Sequence, residues 1–371
     1  MSLENFMTFA KQCLRPPGEG VYTVSNAKER KDQLHQKLYG VGGSKPVNVQ
    51  DAWLSSLTQG LSSNSPTVAA LGICSDTGGG IQRGANWGPL FLRQAMIEQQ
   101  QWNLLDLGDV FVVPQILHDK YLNQETIAKI KKSIYNNENS PYPVSPLSIT
   151  EETVRLVNES FSQVKIFGIG GDHSISYSLV KAWAQATSRK NKKIGLIHFD
   201  AHTDLMIERL GIDLCFGTWV PPIIPLFDSP SDIFQIGIRS SGQERSHWEN
   251  KFGLHQLWAE EIKSSGLEAS LNKLDQYLAQ KKFDEVYISF DIDALDASYA
   301  PATGTPEFGG LAPHEAKLFL EVVGKHCKVS GADMMELAPF VQIFDNPQGQ
   351  WSTFTSAAAL SQTMIDLMEK K

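Results

Sequence analysis

Six short apolar runs punctuate this chain between longer amphipathic stretches: TVAALGI (67–73), VKIFGIG (164–170), KIGLIHF (193–199), DIFQIGI (232–238), DEVYISF (284–290) and KVSGADMME (328–336). Runs of this length, bounded by Gly and Asp and alternating with helical patterns, predict a mostly parallel sheet covered on both faces. The expected fold class is therefore α/β, a three-layer α/β/α domain. Three of the runs end abruptly in acids and histidines, and that constrains the chain most. GGDHS follows the second run, DAHTD the third, and the fifth continues as SFDIDALD. In open α/β sheets ligands bind beyond the carboxyl ends of the strands, so these loops are where chemistry is built. Residues two apart in an extended segment face one side, which groups Asp200 with His202 and Asp204, and Asp291 with Asp293.

An unpaired buried carboxylate costs several kcal/mol, so clustered acids at buried strand ends require a positive partner. His173, Asp200, His202, Asp204, Asp291 and Asp293 offer six donors, four of them anionic. That set exceeds one closed tetrahedral zinc and suits two divalent ions sharing bridging carboxylates. Two ions about 3.5 Å apart lower the pKa of a shared water enough to supply hydroxide at neutral pH, which is hydrolytic machinery. Asp172 and Asp296 read as turn or cap residues beside this set. His198 is assigned to the side of its strand opposite His202, as a hydrogen-bonded core histidine. The run GIGG does not make a dinucleotide site, because His173 stands where the third glycine of that fingerprint belongs.

Composition narrows the partners. A formal charge of −8 argues against nucleic acid and against an anionic membrane, both of which favour a basic face. No run reaches the length of a membrane span. The start, MSLENFMTFAKQC, lacks the charged beginning and continuous apolar core of a secretory signal. Four scattered cysteines form no CxxC pair, which points to a reducing cytoplasm rather than a disulfide framework. Residues 1–66 are turn-rich with little apolar periodicity and are read as an N-terminal extension, leaving 67–371 as the catalytic domain. The closing segment TSAAALSQTMIDLMEKK carries the signals of a docked helix.

Together GGDHS, DAHTD and SFDIDALDASYAPATGTPEFGGL resemble the three metal motifs of the ureohydrolase family of arginases, agmatinases and guanidinobutyrases. DTGGGIQRGANWGPLFLRQA is similar to that family's early glycine-rich segment, and GADMMELAP to its late Glu-containing strand end. The resemblance implies a dinuclear centre on an arginase-like fold, assembly as a homotrimer or homohexamer, and release of urea from a small cationic guanidino substrate. Carried over by position, the six donors hold the ions, with two aspartates bridging. Asp204 also accepts a hydrogen bond from the attacking hydroxide, and Thr305 and Glu336 orient the guanidinium.

The departures from that pattern bear on the substrate. Phe216 stands where arginases and agmatinases carry a proton-shuttling histidine. Phe216 and Trp219 are either plain core aromatics or a narrowing of the pocket that presents π faces to a cation. Met206, Ser240 and Gly242 replace groups that hold an amino-acid tail. This combination resembles the guanidine hydrolases of the family, which are associated with nickel. The expectation is hydrolysis of free guanidine to urea and ammonia with two nickel or manganese ions, metal choice depending on supply and metal-loading accessory proteins. The alternatives are an agmatinase or guanidinobutyrase, and a non-catalytic metal-bound scaffold. A single-zinc amidase of related architecture is disfavoured by the six-donor set.

Overall fold

The apolar runs are β-branched and aromatic enough to pack on both sheet faces, and all six fold as strands. The computed structural model describes residues 2–20, 28–41, 48–63, 67–80, 82–341 and 349–370. Its strands are β1 (Leu14–Arg15), β2 (Thr67–Gly72), β3 (Leu105–Val110), β4 (Val164–Ile169), β5 (Ile194–Phe199), β6 (Ile233–Ile238), β7 (His255–Trp258), β8 (Glu285–Asp291) and β9 (Lys328–Met335). They form one sheet in the order β1-β3-β2-β4-β9-β8-β5-β6-β7. Every pairing is parallel except β1 with β3.

The helices are α1 (Leu3–Cys13), α2 (Lys28–Tyr39), α3 (Val49–Leu61), α4 (Gly88–Glu98), α5 (Gln124–Tyr135), α6 (Pro146–Ser160), α7 (Ile175–Ser188), α8 (Arg245–Phe252), α9 (Ala259–Ser265), α10 (Leu267–Lys281), α11 (Pro313–His326) and α12 (Gly349–Glu369). Two apolar cores result, one on each side of the sheet. Leu34, Leu90, Leu274, Phe319 and Met364 from α2, α4, α10, α11 and α12 fill one. Phe6, Trp53, Leu147, Leu179 and Trp248 from α1, α3, α6, α7 and α8 fill the other. This is the three-layer α/β/α arrangement that the alternating pattern implied. The closing helix docks on β9, α4 and α11, as its sequence suggested.

Three strands escaped the sequence pattern, the two-residue β1 among them. β3 reads LDLGDV, whose acids disguise it, and β7 is only four residues long. The acids of β3 are buried because Arg93 of α4 reaches them. Its Nε lies 2.9 Å from Asp106 Oδ2, and its Nη1 lies 2.6 Å from Asp109 Oδ1. Asp109 uses its other oxygen to accept the backbone N–H groups of Gly18 and Gly20 at 2.7 and 3.0 Å. The N-terminal segment is thus pinned to the sheet edge through a buried carboxylate. Within it α1 shows a periodicity that the turn-rich flanks obscured, with Phe6, Phe9, Ala10 and Cys13 all buried.

The topology decides where the donors go. β4, β9, β8 and β5 are four consecutive neighbours, so the loops after them open at one place on the sheet's carboxyl edge. Removing one partner of a buried ion pair strands the other, at a cost of about 3–5 kcal/mol. Arg93→Met leaves two buried aspartates without their cation. Denaturant unfolding of this variant is expected to show a loss of about that size, and a loss under about 1 kcal/mol would contradict the assignment.

Candidate metal centre

Each donor loop is shaped by a short backbone device. After β4 the chain turns at Gly170 and Gly171, and a Cβ on Gly171 would sit 1.7 Å from the Ser75 carbonyl oxygen, so no side chain fits there. Asp172 closes the turn by accepting the Ser174 N–H at 3.0 Å and the Gly78 N–H at 3.1 Å. The same local turn recurs at Asp200 with His202 N (2.6 Å), Asp291 with Asp293 N (2.9 Å) and Asp296 with Ser298 N (2.9 Å). Aspartate favours such turns because its short side chain reaches the N–H two residues on. At Asp200 and Asp291 the second oxygen is thereby aimed inward.

These second oxygens converge on His173. Its Nδ1 lies 3.1 Å from Asp200 Oδ2, 3.2 Å from Asp204 Oδ2 and 3.0 Å from Asp291 Oδ2. A second cluster joins His202 Nδ1 to Asp200 Oδ1 at 3.3 Å and to Asp293 Oδ2 at 3.1 Å. Asp200 therefore belongs to both groups, one oxygen to each, which is the geometry of a bridging carboxylate. All six donors predicted from the sequence come together. His173 is 1% exposed at its side chain and His202 24%, so the first group is deep and the second faces the mouth.

The donor set fits divalent cations. His173 Nε2 lies 3.0 Å from Ser289 Oγ, and that hydroxyl donates its proton to Asp333 Oδ1 at 2.8 Å. Ser289 must then accept from His173, which puts the imidazole proton on Nε2 and a lone pair on Nδ1. That buried Nδ1 has no hydrogen-bond partner although three carboxylate oxygens surround it. A lone pair among carboxylates is unfavourable unless a cation lies between them.

Electrostatics support this. Burial, and then the negative charge of Asp200, push Asp204 well above the usual carboxylate range. Burial and Asp293 do the same to Asp291, and burial with Asp291 and Asp172 to Glu336. Burial alone would also raise Asp200, but the imidazoles gathered around it, with His198 Nε2 at 2.9 Å, hold it well below its ordinary value. Without ions, protons must do the neutralising, so cation uptake releases protons.

Glu336 follows β9. Its Oε1 accepts the His173 backbone N–H at 2.9 Å, and it is 5% exposed. Asp204 and Glu336 both hold left-handed backbone conformations, φ 52° and 61°. For side chains other than Gly or Asn this costs on the order of 1–3 kcal/mol, and such residues concentrate at functional sites. Thr305 donates its hydroxyl to Asp293 Oδ2 at 2.9 Å, at the mouth.

Several residues lie elsewhere than the sequence suggested. Trp219 does not line a pocket: it is fully buried, its indole N–H donates to Asp204 Oδ2 at 2.7 Å, and its ring packs 4.9 Å from His173. Phe216 lines a cavity of about 510 Å3 together with Gly78, Gly80, His118, Arg83 and Arg209. No donor residue borders that cavity, and its two arginines with no acid make it a poor place for a guanidinium. His198 lies on the donor side of its strand, not opposite it. Residues 198 and 200 are two apart and share a face, and His198 Nε2 lies 2.9 Å from Asp200 Oδ2. Glu307, inside TGTPEFGG, is a mouth residue that the motif pattern does not mark. Its Oε1 accepts the Ser240 hydroxyl at 2.9 Å and lies 3.7 Å from His202 Nε2. An acid next to a motif proline was the available signal. Arg239 likewise clamps the loop after β8, donating to the carbonyls of Asp293 (2.6 Å) and Leu295 (2.9 Å).

Ser289→Ala removes the group that fixes the His173 ring. Metal affinity is expected to fall about 10–100-fold with the fold intact, as read by competition with a chromogenic chelator, and unchanged affinity would refute the role.

Comparison with known proteins places this geometry. Residues 66–365 match the arginase family. The chain is 31% identical over 291 residues to mitochondrial agmatinase of Gallus gallus, covering 75% of this chain and 76% of that one. It is 30% identical over 284 residues to mitochondrial guanidino acid hydrolase of Homo sapiens, covering 73% and 71%. Among solved structures, proclavaminate amidino hydrolase from Streptomyces clavuligerus shares the fold, with a TM-score of 0.61 and 23% identity over 82% of this chain and 92% of that one. The chain belongs to the arginase family, the metal-dependent ureohydrolases.

Proposed function

We propose that this enzyme hydrolyses free guanidine to urea and ammonia at two divalent ions held by His173, Asp200, His202, Asp204, Asp291 and Asp293. One observation carries the choice of substrate. The guanidinium-binding carboxylate, Glu336, is present and buried, whereas the positions that would hold a tail carry Met206, Gly242 and a Ser240 whose hydroxyl is engaged by Glu307. A carboxylate tail entering there would lose its solvation without gaining a donor, and a small symmetric cation avoids that cost.

Bound ions would supply Lewis acidity and a water acidified to near neutral pH. The chain's own groups do the rest. Glu336 pairs with the guanidinium through a charge-assisted hydrogen bond and sets the carbon toward the donors, with Thr305 beside it at the mouth. Attack by water forms a C–O bond and breaks one C–N bond, so guanidinium and water become urea and ammonium. Asp204 takes the proton from the attacking water and passes it to the departing nitrogen. The Trp219 N–H on Oδ2 leaves Oδ1 available for that transfer.

Catalysis is assigned to residues 67–371, with 1–66 as an extension at the sheet edge. The proposal includes nickel as the activating metal with manganese as the alternative, metal-loading accessory proteins, assembly as a homotrimer or homohexamer, and a cytoplasmic setting. Four buried free cysteines support a reducing compartment. No helix among the described residues is long and apolar enough to cross a membrane.

A second reading, an agmatinase or guanidinobutyrase-type ureohydrolase, is supported by Glu307. This half-exposed acid at the mouth offers a partner for the amine of agmatine, and relatives named agmatinase align over most of the chain. Catalytic efficiency on guanidine, methylguanidine, guanidinobutyrate, agmatine and arginine, after loading with nickel and separately with manganese, separates the two. Guanidine is expected to be preferred; equal or higher efficiency on agmatine or guanidinobutyrate selects the second reading. Asp200→Ala is expected to lose at least one ion per chain because both groups share that carboxylate, and full retention by mass spectrometry of the metals would sink the assignment. Glu336→Gln is expected to keep its ions and lose a few kcal/mol of transition-state stabilisation.

A further inference from the structure

One register row of the sheet, two residues before the donors, is polar across five strands. Asp333, Ser289, His198, Gln235 and Gln256 pair in sequence on β9, β8, β5, β6 and β7. All five are at most 1% exposed. Such a row in a buried sheet is costly unless each group is satisfied by a hydrogen bond.

From β7 to β5 the hydrogen bonds run in one direction. Trp258 Nε1 donates to Gln256 Oε1 at 2.9 Å, and an indole N–H can only donate. The Gln256 amide nitrogen therefore faces Gln235, and Nε2 donates to Gln235 Oε1 at 2.7 Å. Gln235 Nε2 then spends one hydrogen on the Thr203 carbonyl at 2.7 Å, and a carbonyl can only accept. Its other hydrogen goes to His198 Nδ1 at 2.9 Å. With a donor at one end and an acceptor at the other, neither glutamine can be flipped without setting like against like. Nδ1 of His198 is an acceptor, so Nε2 carries the proton and donates it to Asp200 Oδ2 at 2.9 Å.

We propose that the Trp258–Gln256–Gln235 relay locks His198 in the Nε2–H tautomer and thereby fixes the bridging carboxylate of Asp200. His198 is a positioning residue and not a ligand, although its ring lies close enough to the first donor group to resemble one. The relay also ties Thr203, in the middle of the donor loop, to the same amide. This inference rests on the two-metal reading of the site.

The relay predicts an effect at a distance. Gln256→Glu places a carboxylate oxygen against Gln235 Oε1, and turning the Gln235 amide relieves that charged contact at the expense of its bond to the Thr203 carbonyl. His198 must then donate from Nδ1 and present a lone pair to Asp200. Long-range proton–nitrogen NMR of 15N-histidine protein loaded with diamagnetic Zn2+, with the signal assigned by its loss in His198→Asn, reads the tautomer directly. Zinc affinity is measured alongside by chelator competition. Wild type is expected to show Nε2–H, and Gln256→Glu to show Nδ1–H with affinity lowered about 10–100-fold. Should Gln256→Glu fail to fold, Gln235→Met is read instead: with nothing donating to Nδ1, both tautomers are expected, with weakened zinc binding. A wild type that binds zinc but shows Nδ1–H, or variants that keep wild-type tautomer and affinity, overturn this proposal alone. A wild type that binds no divalent ion overturns the metal reading and this proposal with it.

Discussion

Mutual repulsion among buried carboxylates governs the centre of this molecule. Asp200, Asp204, Asp291, Asp293 and Glu336 are each at most 5% exposed, and four of the five lie in or beside the two clusters around His173 and His202. No apolar core tolerates that charge without compensation. Part of it comes from backbone N–H groups, since Asp200 and Asp291 each accept one from the turn they begin, and Asp293 accepts the Ala201 N–H at 3.0 Å. The remainder calls for cations, and the unpartnered Nδ1 of His173 marks where one would lie.

Holding such a cluster open requires rigid walls. Four adjacent parallel strands supply the loops, and the polar row beneath them orients both deep histidines from opposite sides. Asp333 and Ser289 set the ring of His173, while Gln235 sets that of His198. The left-handed conformations of Asp204 and Glu336 are strain that this packing sustains. Arg239 and Trp219 complete the frame, one by gripping carbonyls of the loop after β8 and the other by anchoring Asp204 from below.

Function follows from which polar groups remain uncommitted. Oε1 of Glu336 is taken by the His173 N–H, which leaves Oε2, near Gly304, as the oxygen the proposed function assigns to the substrate cation. At the mouth Ser240 and Glu307 satisfy each other, so the rim offers one acid and no ready donor for a carboxylate tail. The arginine-lined cavity beyond Phe216 has the wrong sign for a guanidinium.

Much of this was legible in the chain itself. Periodicity two and strand-end chemistry are local properties, so GGDHS, DAHTD and SFDID announced the strands, the donors and their number without any tertiary information. Local parity also puts His198 on the face of Asp200, since the two are two residues apart at the end of one strand. What the sequence could not show depended on contacts between distant segments. β3 hides behind Asp106 and Asp109 because their partner, Arg93, lies on a different element, and no local pattern pairs them. Trp219 reads equally well as pocket wall or core, and only packing against His173 and Asp204 puts it beneath the site. The role of Gln235 and Gln256 depends on the register of three strands. The direction of their hydrogen bonds is set by groups at either end, Trp258 and Thr203, 55 positions apart in the chain, which no reading of neighbouring residues could have brought together.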